Sequence, residues 1–188
     1  MRFLLKAVLV FLFGAGVAVA QQESGFFVRG NAGFSYPIEL NPNEYGTGFS
    51  YGIGIGYRIS SNLDFYVMSD YNTFNLLHAY YNGGQAKWQT STVNAEYRFT
   101  DSGIMPYITV GAGIGFLNQD RYTSSRMQAI EIHNGFTNNS ALFNIGAGIS
   151  LKSSESIRTF LDAKLNGQYD GVDINQFLGA KIGISYLF

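Results

Sequence analysis

The feature that most constrains this chain is an alternation of apolar residues with small or polar ones, repeated in eight segments. In the last segment the apolar set is Ala180, Ile182, Ile184, Tyr186 and Phe188. The alternate positions are small or polar at Gly179, Lys181, Gly183 and Ser185. Successive side chains of a β-strand point to opposite faces, so this period of two predicts amphipathic strands. We expect an all-β fold with strands over residues 26–36, 49–59, 63–72, 88–99, 105–116, 141–152, 157–169 and 179–188.

The content of the two faces predicts which one points outward. One face carries Ile, Val, Phe and Tyr on every strand, whereas the other is rich in Gly and holds charges of both signs. The interior of an eight-stranded barrel is only just wide enough for side chains to fill it, so it can hold the glycines and polar groups but not the bulky set. The apolar face should therefore contact lipid. The alternative, a soluble lipocalin-like barrel, requires the bulky face inside.

The connections between these strands alternate in length. Three are tight turns, and three are long, over residues 37–48, 73–87 and 117–140, while the fourth outer loop, 170–175, is brief. Short periplasmic turns and longer outer loops are typical of transmembrane β-barrels. We expect an up-and-down antiparallel barrel in which the eighth strand pairs with the first, because backbone groups in lipid require closure. Both mature termini should then be periplasmic.

The first 20 residues predict a cleaved signal peptide. Arg2 and Lys6 precede an apolar run that ends in Ala18-Val19-Ala20. We assign 1–20 to the signal peptide and 21–188 to a single barrel domain. Without this segment, the chain has fewer Lys and Arg residues than its 13 Asp and Glu residues. This balance does not indicate nucleic-acid binding, which is typically accompanied by an excess of basic residues. Cysteine is absent from the sequence.

Charged residues on the small and polar face predict a network inside the barrel. Its members are Arg29, Arg58, Asp64, Asp70, Glu96, Arg98, Asp162, Lys164 and Lys181. Counting across the turn at 60–62 places Arg58 opposite Asp64. Two interpretations are open: a small ion path, or a lumen filled by ion pairs, which we favour because water-filled porins have about twice as many strands. The period-two glycines do not match a nucleotide-binding loop, and we expect them to make room for large lumen side chains.

The chain resembles the OmpA/OmpX-like and opacity-type outer-membrane barrels of Gram-negative bacteria over essentially its whole mature length. Residues 106–116 and 182–188 carry the resemblance best. It implies an outer-membrane location, contact with lipid and lipopolysaccharide, and recognition by the barrel-assembly machinery through Ile182, Ile184, Tyr186 and Phe188. The resemblance is specific for architecture and not for activity.

These observations favour a non-enzymatic outer-membrane protein whose loops serve surface interaction or envelope integrity. Exposed aromatic and Arg side chains dominate binding hot spots. We therefore expect an extracellular ligand to contact the loop residues Tyr80, Tyr81, Trp88, Arg121, Tyr122 and Arg126. A small porin-like channel is the first alternative. A lipid A-modifying enzyme is the second, because His133 follows Glu131 near Asp120, Ser124 and Ser125. Asn134-Gly135 instead predicts a hairpin turn there, as do Asn82-Gly83 and Asp170-Gly171. We expect no catalytic residue, cofactor or metal.

Overall fold

A computed structural model describes residues 24–38, 45–75, 81–82, 85–126, 129–169 and 174–188. The predicted signal peptide, Tyr80, Gly83 and the Asp170-Gly171 turn lie outside these residues. Eight long strands form a closed antiparallel barrel: β1 (Gly25–Pro37), β2 (Gly48–Arg58), β3 (Leu63–Asn75), β5 (Gln85–Arg98), β6 (Ile104–Gln119), β9 (Phe136–Lys152), β10 (Ile157–Tyr169) and β11 (Ile174–Leu187). Three short strands, β4 (Tyr81–Asn82), β7 (Tyr122–Arg126) and β8 (Ala129–His133), form a separate sheet in the order β4-β7-β8.

The barrel closes by antiparallel pairing of β1 with β11, which confirms the predicted seam between the first and last strands. Phe27 pairs with Leu187 at one end of this seam and Pro37 with Phe177 at the other. Neighbouring strands pair in the same way around the whole ring. Closure gives every barrel strand a partner on both sides and removes the exposed edges of an open sheet.

The strands are strongly staggered around the ring. Following paired residues from Phe27 through Gly56, Tyr66, Asn94, Gly111, Asn144, Asn166 and Phe177 returns to β1 at Pro37, ten residues further along. A stagger of this kind accompanies strands that are tilted relative to the barrel axis. The tilt brings residues that are distant in sequence to the same height in the lumen.

The apolar face points outward and the polar face inward, as the sequence predicts. Ile53 and Ile182 are 70% and 65% exposed on the outer wall, whereas Arg58 and Arg98 are 2% and 1% exposed inside. Two bands of outward-facing aromatic residues encircle the wall near its ends. Tyr57, Tyr97, Phe99, Tyr186 and Phe188 lie near the turns, and Tyr36, Phe49, Tyr71, Phe116 and Tyr169 lie toward the loops. Such bands flank the apolar zone of transmembrane barrels.

We call the end with the three tight turns the short-turn end and the opposite end the long-loop end. Residues 59–62, 99–103 and 153–156 form these turns, and Gly103 adopts a positive φ of 67° that favours glycine. At the long-loop end, β3 and β5 remain paired as far as Asn75 and Gln85, and β6 and β9 as far as Gln119 and Phe136. Several strands are therefore longer than predicted, because pairing continues where the apolar alternation has stopped.

The predicted hairpin turn at Asn134-Gly135 is wrong. β8 pairs with β7, and β9 pairs with β6, so residues 134–135 link the small sheet back to the barrel wall. Among the described residues, no helix is long and apolar enough to cross a membrane.

Candidate functional site

An ionic layer fills the lumen toward the short-turn end. It comprises Arg29, Arg58, Asp64, Glu96, Arg98, Asp162 and Lys164, all buried. Arg58 and Asp64 pair in register across the turn, as predicted, and Arg58 Nε donates to Asp64 Oδ1 at 3.2 Å. Arg98 bonds Asp64 through both terminal nitrogens, at 2.6 and 2.9 Å. This bidentate geometry is the strongest form of an Arg–carboxylate contact.

The same layer continues across the lumen through Glu96 and Arg29. Glu96 accepts hydrogen bonds from Arg98 at 3.0 Å and from Arg29 at 2.6 Å. Arg29 also lies 3.5 Å from Asp162, and Lys164 lies 3.8 Å from the same carboxylate. Each carboxylate of the layer therefore contacts two basic groups. The arrangement gives every one of these buried charges an oppositely charged neighbour, and a buried charge is costly to leave unpaired in a low-dielectric interior.

Aromatic side chains enclose the basic groups of this layer. The Arg29 guanidinium lies 3.8 Å from the ring centroid of Phe160 and 4.7 Å from that of Tyr66. Lys164 Nζ donates to the Tyr66 hydroxyl at 3.1 Å, and the Tyr107 hydroxyl donates to Asp162 at 3.3 Å. Cation–π contacts and phenol hydrogen bonds of this kind stabilise cations that water does not reach.

The remaining two predicted network residues form a separate pair. Lys181 Nζ lies 2.7 Å from Asp70 Oδ1. Gly52 provides the space for this carboxylate, because a Cβ built there would lie 2.0 Å from Asp70 Oδ1 and 2.8 Å from the Met68 methyl. Gly183 similarly leaves space for the ring of Phe160, 2.2 Å from the position of a built Cβ. These contacts confirm the expectation that lumen glycines make room for large neighbours.

An aromatic plug closes the lumen at the long-loop end, and the sequence did not lead us to expect it. Its members are Tyr45, Phe74, Ala86, Trp88, Leu117 and Phe177, each at most 8% exposed. The ring centroids of Trp88 and Phe177 are 4.7 Å apart, and those of Phe74 and Phe177 are 5.8 Å apart. Extending the strand alternation by one step, from Asn72 to Phe74 or from Gly179 to Phe177, would have placed these side chains in the lumen.

Trp88 therefore corrects a prediction. It was expected among the loop contacts as an exposed aromatic, but it is 0% exposed within β5 and points into the plug. Arg121 is exposed between β6 and β7. Tyr81 lies in β4, and Tyr122 and Arg126 lie in β7, within the small sheet. Backbone pairing of Tyr81 with Ser124 joins the β3–β5 connection to the β6–β9 connection.

One ion pair lies on the outer rim of the barrel, beyond the aromatic band of the long-loop end. Lys87 Nζ lies 2.8 Å from Asp120 Oδ2, and the two side chains are 35% and 39% exposed. The hydrogen bond to Asp120 raises the pKa of Lys87 above its ordinary value of 10.5. An exposed pair of this kind contributes little to stability.

His133, Ser124 and Ser125, the residues considered for a lipid A-modifying site, lie in the small sheet. His133 lies in β8, whose partner β7 contains Ser124 and Ser125. Within the described ranges, no group of three or more His, Cys, Asp or Glu side chains could hold a metal ion.

The fold is that of an OmpA/OmpX-like outer-membrane β-barrel. Eight antiparallel strands form a closed ring with an apolar outer wall, two aromatic bands and a filled polar lumen. Solved structures of such barrels match this chain. Neisserial surface protein A (NspA) is 20% identical and has a TM-score of 0.60, covering 89% of this chain and 100% of that one. A major outer membrane protein from Thermus thermophilus is 13% identical with a TM-score of 0.62, covering 89% of this chain and 100% of that one.

A third similar structure is Ail, the attachment invasion locus protein of Yersinia pestis. It is 16% identical, has a TM-score of 0.52, and the match covers 89% of this chain and 100% of Ail. No protein-family model matches the chain. No curated protein matches it either. At these identities the likeness establishes the shared fold.

Proposed function

We propose that this protein is a non-enzymatic barrel of the bacterial outer membrane that presents its long-loop end to the outside of the cell. Both barrel termini lie at the short-turn end, which we assign to the periplasm because short turns face it in such barrels. The loops and the β4-β7-β8 sheet are the surface offered to an extracellular ligand or to the envelope. Lipid and lipopolysaccharide surround the outer wall.

The observation that carries this proposal is the filling of the lumen. The ionic layer occupies one end and the aromatic plug the other, with hydrogen-bonded amides such as Asn94 and Asn144 between them (3.1 Å). A conducting porin needs a water-filled path, whereas side chains fill an eight-stranded barrel. The available surface for function is therefore the outer end of the barrel.

The proposal is tested by a deletion that leaves the wall intact. Removing residues 121–134 deletes β7 and β8 but keeps the β6–β9 pairing through Gln119 and Phe136. We expect the variant to fold, seen as heat-modifiable migration on a gel, and to lose the adhesion or envelope resistance that the full chain confers on cells. If adhesion and envelope resistance are unchanged while the barrel folds, the loops do not carry the function.

Planar-bilayer recordings separate this proposal from the channel alternative. The purified full chain should show no single-channel conductance. The matched control is the double variant Trp88→Ala, Phe177→Ala. It removes two aromatic rings of the plug and so widens the lumen at the long-loop end. Stable conductance by the unmodified chain would overturn the anchoring function in favour of a porin-like one.

The lipid A alternative predicts a chemical change in the membrane. Expression of the chain should leave the lipid A mass spectrum unchanged if the protein is not an enzyme. A new lipid A species that disappears in a His133→Ala variant would contradict our proposal.

The C-terminal residues are proposed as the signal for the assembly machinery. Ile182, Ile184, Tyr186 and Phe188 all project from the outer wall, and the rings of Tyr186 and Phe188 are 5.1 Å apart. Deletion of Phe188 should lower the amount of folded barrel in cells but not its refolding in detergent. Equal loss in both settings would indicate a structural role instead.

A further inference from the structure

The lipid-facing wall of the barrel is interrupted by a polar strip on β3 and β5. The strip consists of Ser69, Tyr71, Gln89 and Ser91, with Ser69 paired to Ser91 and Tyr71 paired to Gln89. These residues alternate along their strands with buried lumen residues, so they lie on the outer face. Apolar residues flank the strip on both sides, Ile53 opposite Ser69 on β2 and Ile114 opposite Ser91 on β6.

The serine end of the strip lies inside the apolar zone of the wall, whereas its Tyr71–Gln89 end lies at the aromatic band of the long-loop end. On β3, Ser69 is four residues from Phe65, which pairs with Tyr57 of the aromatic band at the short-turn end. On β5, Ser91 is six residues from Tyr97 of the same band. A tilted strand rises about 2.5 Å of membrane depth per residue, which places the two serines about 10 to 15 Å inside an apolar zone about 25 Å tall.

Three of the four strip residues offer hydrogen-bonding groups that the described part of the barrel does not use. Among the residues that the structure describes, the side chains of Ser69, Gln89 and Ser91 make no hydrogen bond. Ser69 and Ser91 are half-buried, and Gln89 is exposed. Hydrocarbon supplies no hydrogen-bonding groups, so the hydroxyls of Ser69 and Ser91 are destabilising where they face lipid without a partner. Gln89 pairs with Tyr71 and Phe116 and therefore lies at the aromatic band.

The opposite wall lacks this feature at the corresponding position. There Ala163 of β10 pairs with Ala180 of β11, and Leu165 with Leu178. These four side chains also project outward and are small or aliphatic. The polar strip is therefore a property of one sector of the wall, as expected for a contact surface and not for a uniform lipid-facing barrel.

We propose that the polar strip is the interface of a homodimer, in which a second copy of this chain packs its own β3–β5 wall against it. Each hydroxyl and the Gln89 carboxamide can both donate and accept hydrogen bonds, so the strip is complementary to itself and carries no like charges that repel. Small residues let two backbones approach closely within a membrane. The Lys87–Asp120 pair just above the strip presents both signs of charge, which suits an isologous contact about a two-fold axis.

The proposal is tested by cross-linking in the membrane. The sequence has no cysteine, so single variants Ser69→Cys and Ser91→Cys can be joined by oxidation or by a short bismaleimide in native outer membranes. Ala163→Cys and Ala180→Cys are the matched controls, because they are small, paired and lipid-facing on the opposite wall. We expect cross-linked dimers of this chain from the two strip variants and background amounts from the controls.

A second variant tests the polar groups themselves. Ser69→Ala, Gln89→Leu, Ser91→Ala should raise the dimer dissociation constant about tenfold or more, measured by sedimentation in detergent micelles, while heat-modifiable migration shows an intact barrel. Equal cross-linking from strip and control cysteines would overturn the proposal. So would cross-links only to a different protein, or a wild-type chain that sediments as a monomer at every concentration.

Discussion

Replacing Asp64 by Asn should destabilise the barrel strongly, because this carboxylate joins two buried guanidinium groups. Arg98 reaches it at 2.6 and 2.9 Å, and Arg58 at 3.2 Å. Asparagine keeps the volume of the side chain but removes its charge. The two guanidinium groups then lose their shared counter-ion in a place where they are almost fully removed from solvent.

The magnitude follows from burial and from the contacts that survive. Breaking a buried pair by removing one partner costs about 3–5 kcal/mol, because the remaining charge is uncompensated. Arg98 and Arg58 are 1% and 2% exposed, so solvent screening does not reduce the cost. Glu96 still accepts a hydrogen bond from Arg98 at 3.0 Å. We therefore expect the lower part of that range, about 3 kcal/mol in the free energy of unfolding.

The measurement is reversible urea unfolding of the barrel in lipid vesicles, followed by tryptophan fluorescence and by gel migration of unboiled samples. Asp101→Asn is the matched control, because Asp101 is exposed in the turn at 99–103, and it should change the free energy by less than about 0.5 kcal/mol. The Asp64→Asn effect should also be insensitive to salt, since buried pairs are poorly screened. A loss below about 1 kcal/mol, or one that salt abolishes, would refute the assignment of Asp64 to a buried network.

Three further predictions concern the lumen and the rim. Gly52→Ala should cost about 1–3 kcal/mol by displacing the carboxylate beside it, whereas Gly30→Ala, whose nearest atom is 3.9 Å from a built Cβ, should be neutral or slightly stabilising in the same urea assay. Trp88→Ala should lower the free energy of unfolding by about 3–5 kcal/mol, measured by gel migration, because it empties the centre of the plug. Because the pKa of Lys87 is raised, its ion pair with Asp120 persists below pH 10.5 and is lost as the pH rises through the raised pKa. In an NMR titration, Asp120→Asn should return the pKa of Lys87 to its ordinary value.

Much of the fold follows from local pattern. The alternation of Tyr51, Ile53 and Ile55 with glycines predicts both a strand and its outward face, and the three side chains are 52%, 70% and 65% exposed. The count across a short turn predicts the pairing of Arg58 with Asp64. These inferences succeed because turn length and a period of two fix the register of neighbouring strands.

Other features depend on contacts that no local pattern carries. Arg29 bonds Glu96, 67 residues away, because the stagger of the barrel brings two non-adjacent strands to one height. Trp88 was misplaced for a different reason. It stands where the apolar alternation gives way to loop-like polar sequence, yet pairing with Asn72 and Leu117 continues. Backbone pairing is maintained in water as well as in lipid, so strand ends are not marked by hydropathy.

The ionic layer also explains why one register is selected. A slip of one residue in any strand would exchange its inner and outer faces. For β10 it would move Arg158, Asp162 and Lys164 to the outer wall, where a basic residue costs about 2–4 kcal/mol at the bilayer midplane. The same slip would force Leu161 and Ala163 into the part of the lumen that holds the ionic layer. If the lumen residues were apolar, a register slip would carry no such cost, because either face of each strand could then contact lipid. Burying charge in the centre of the barrel therefore sets the register and orientation of the wall that displays the loops.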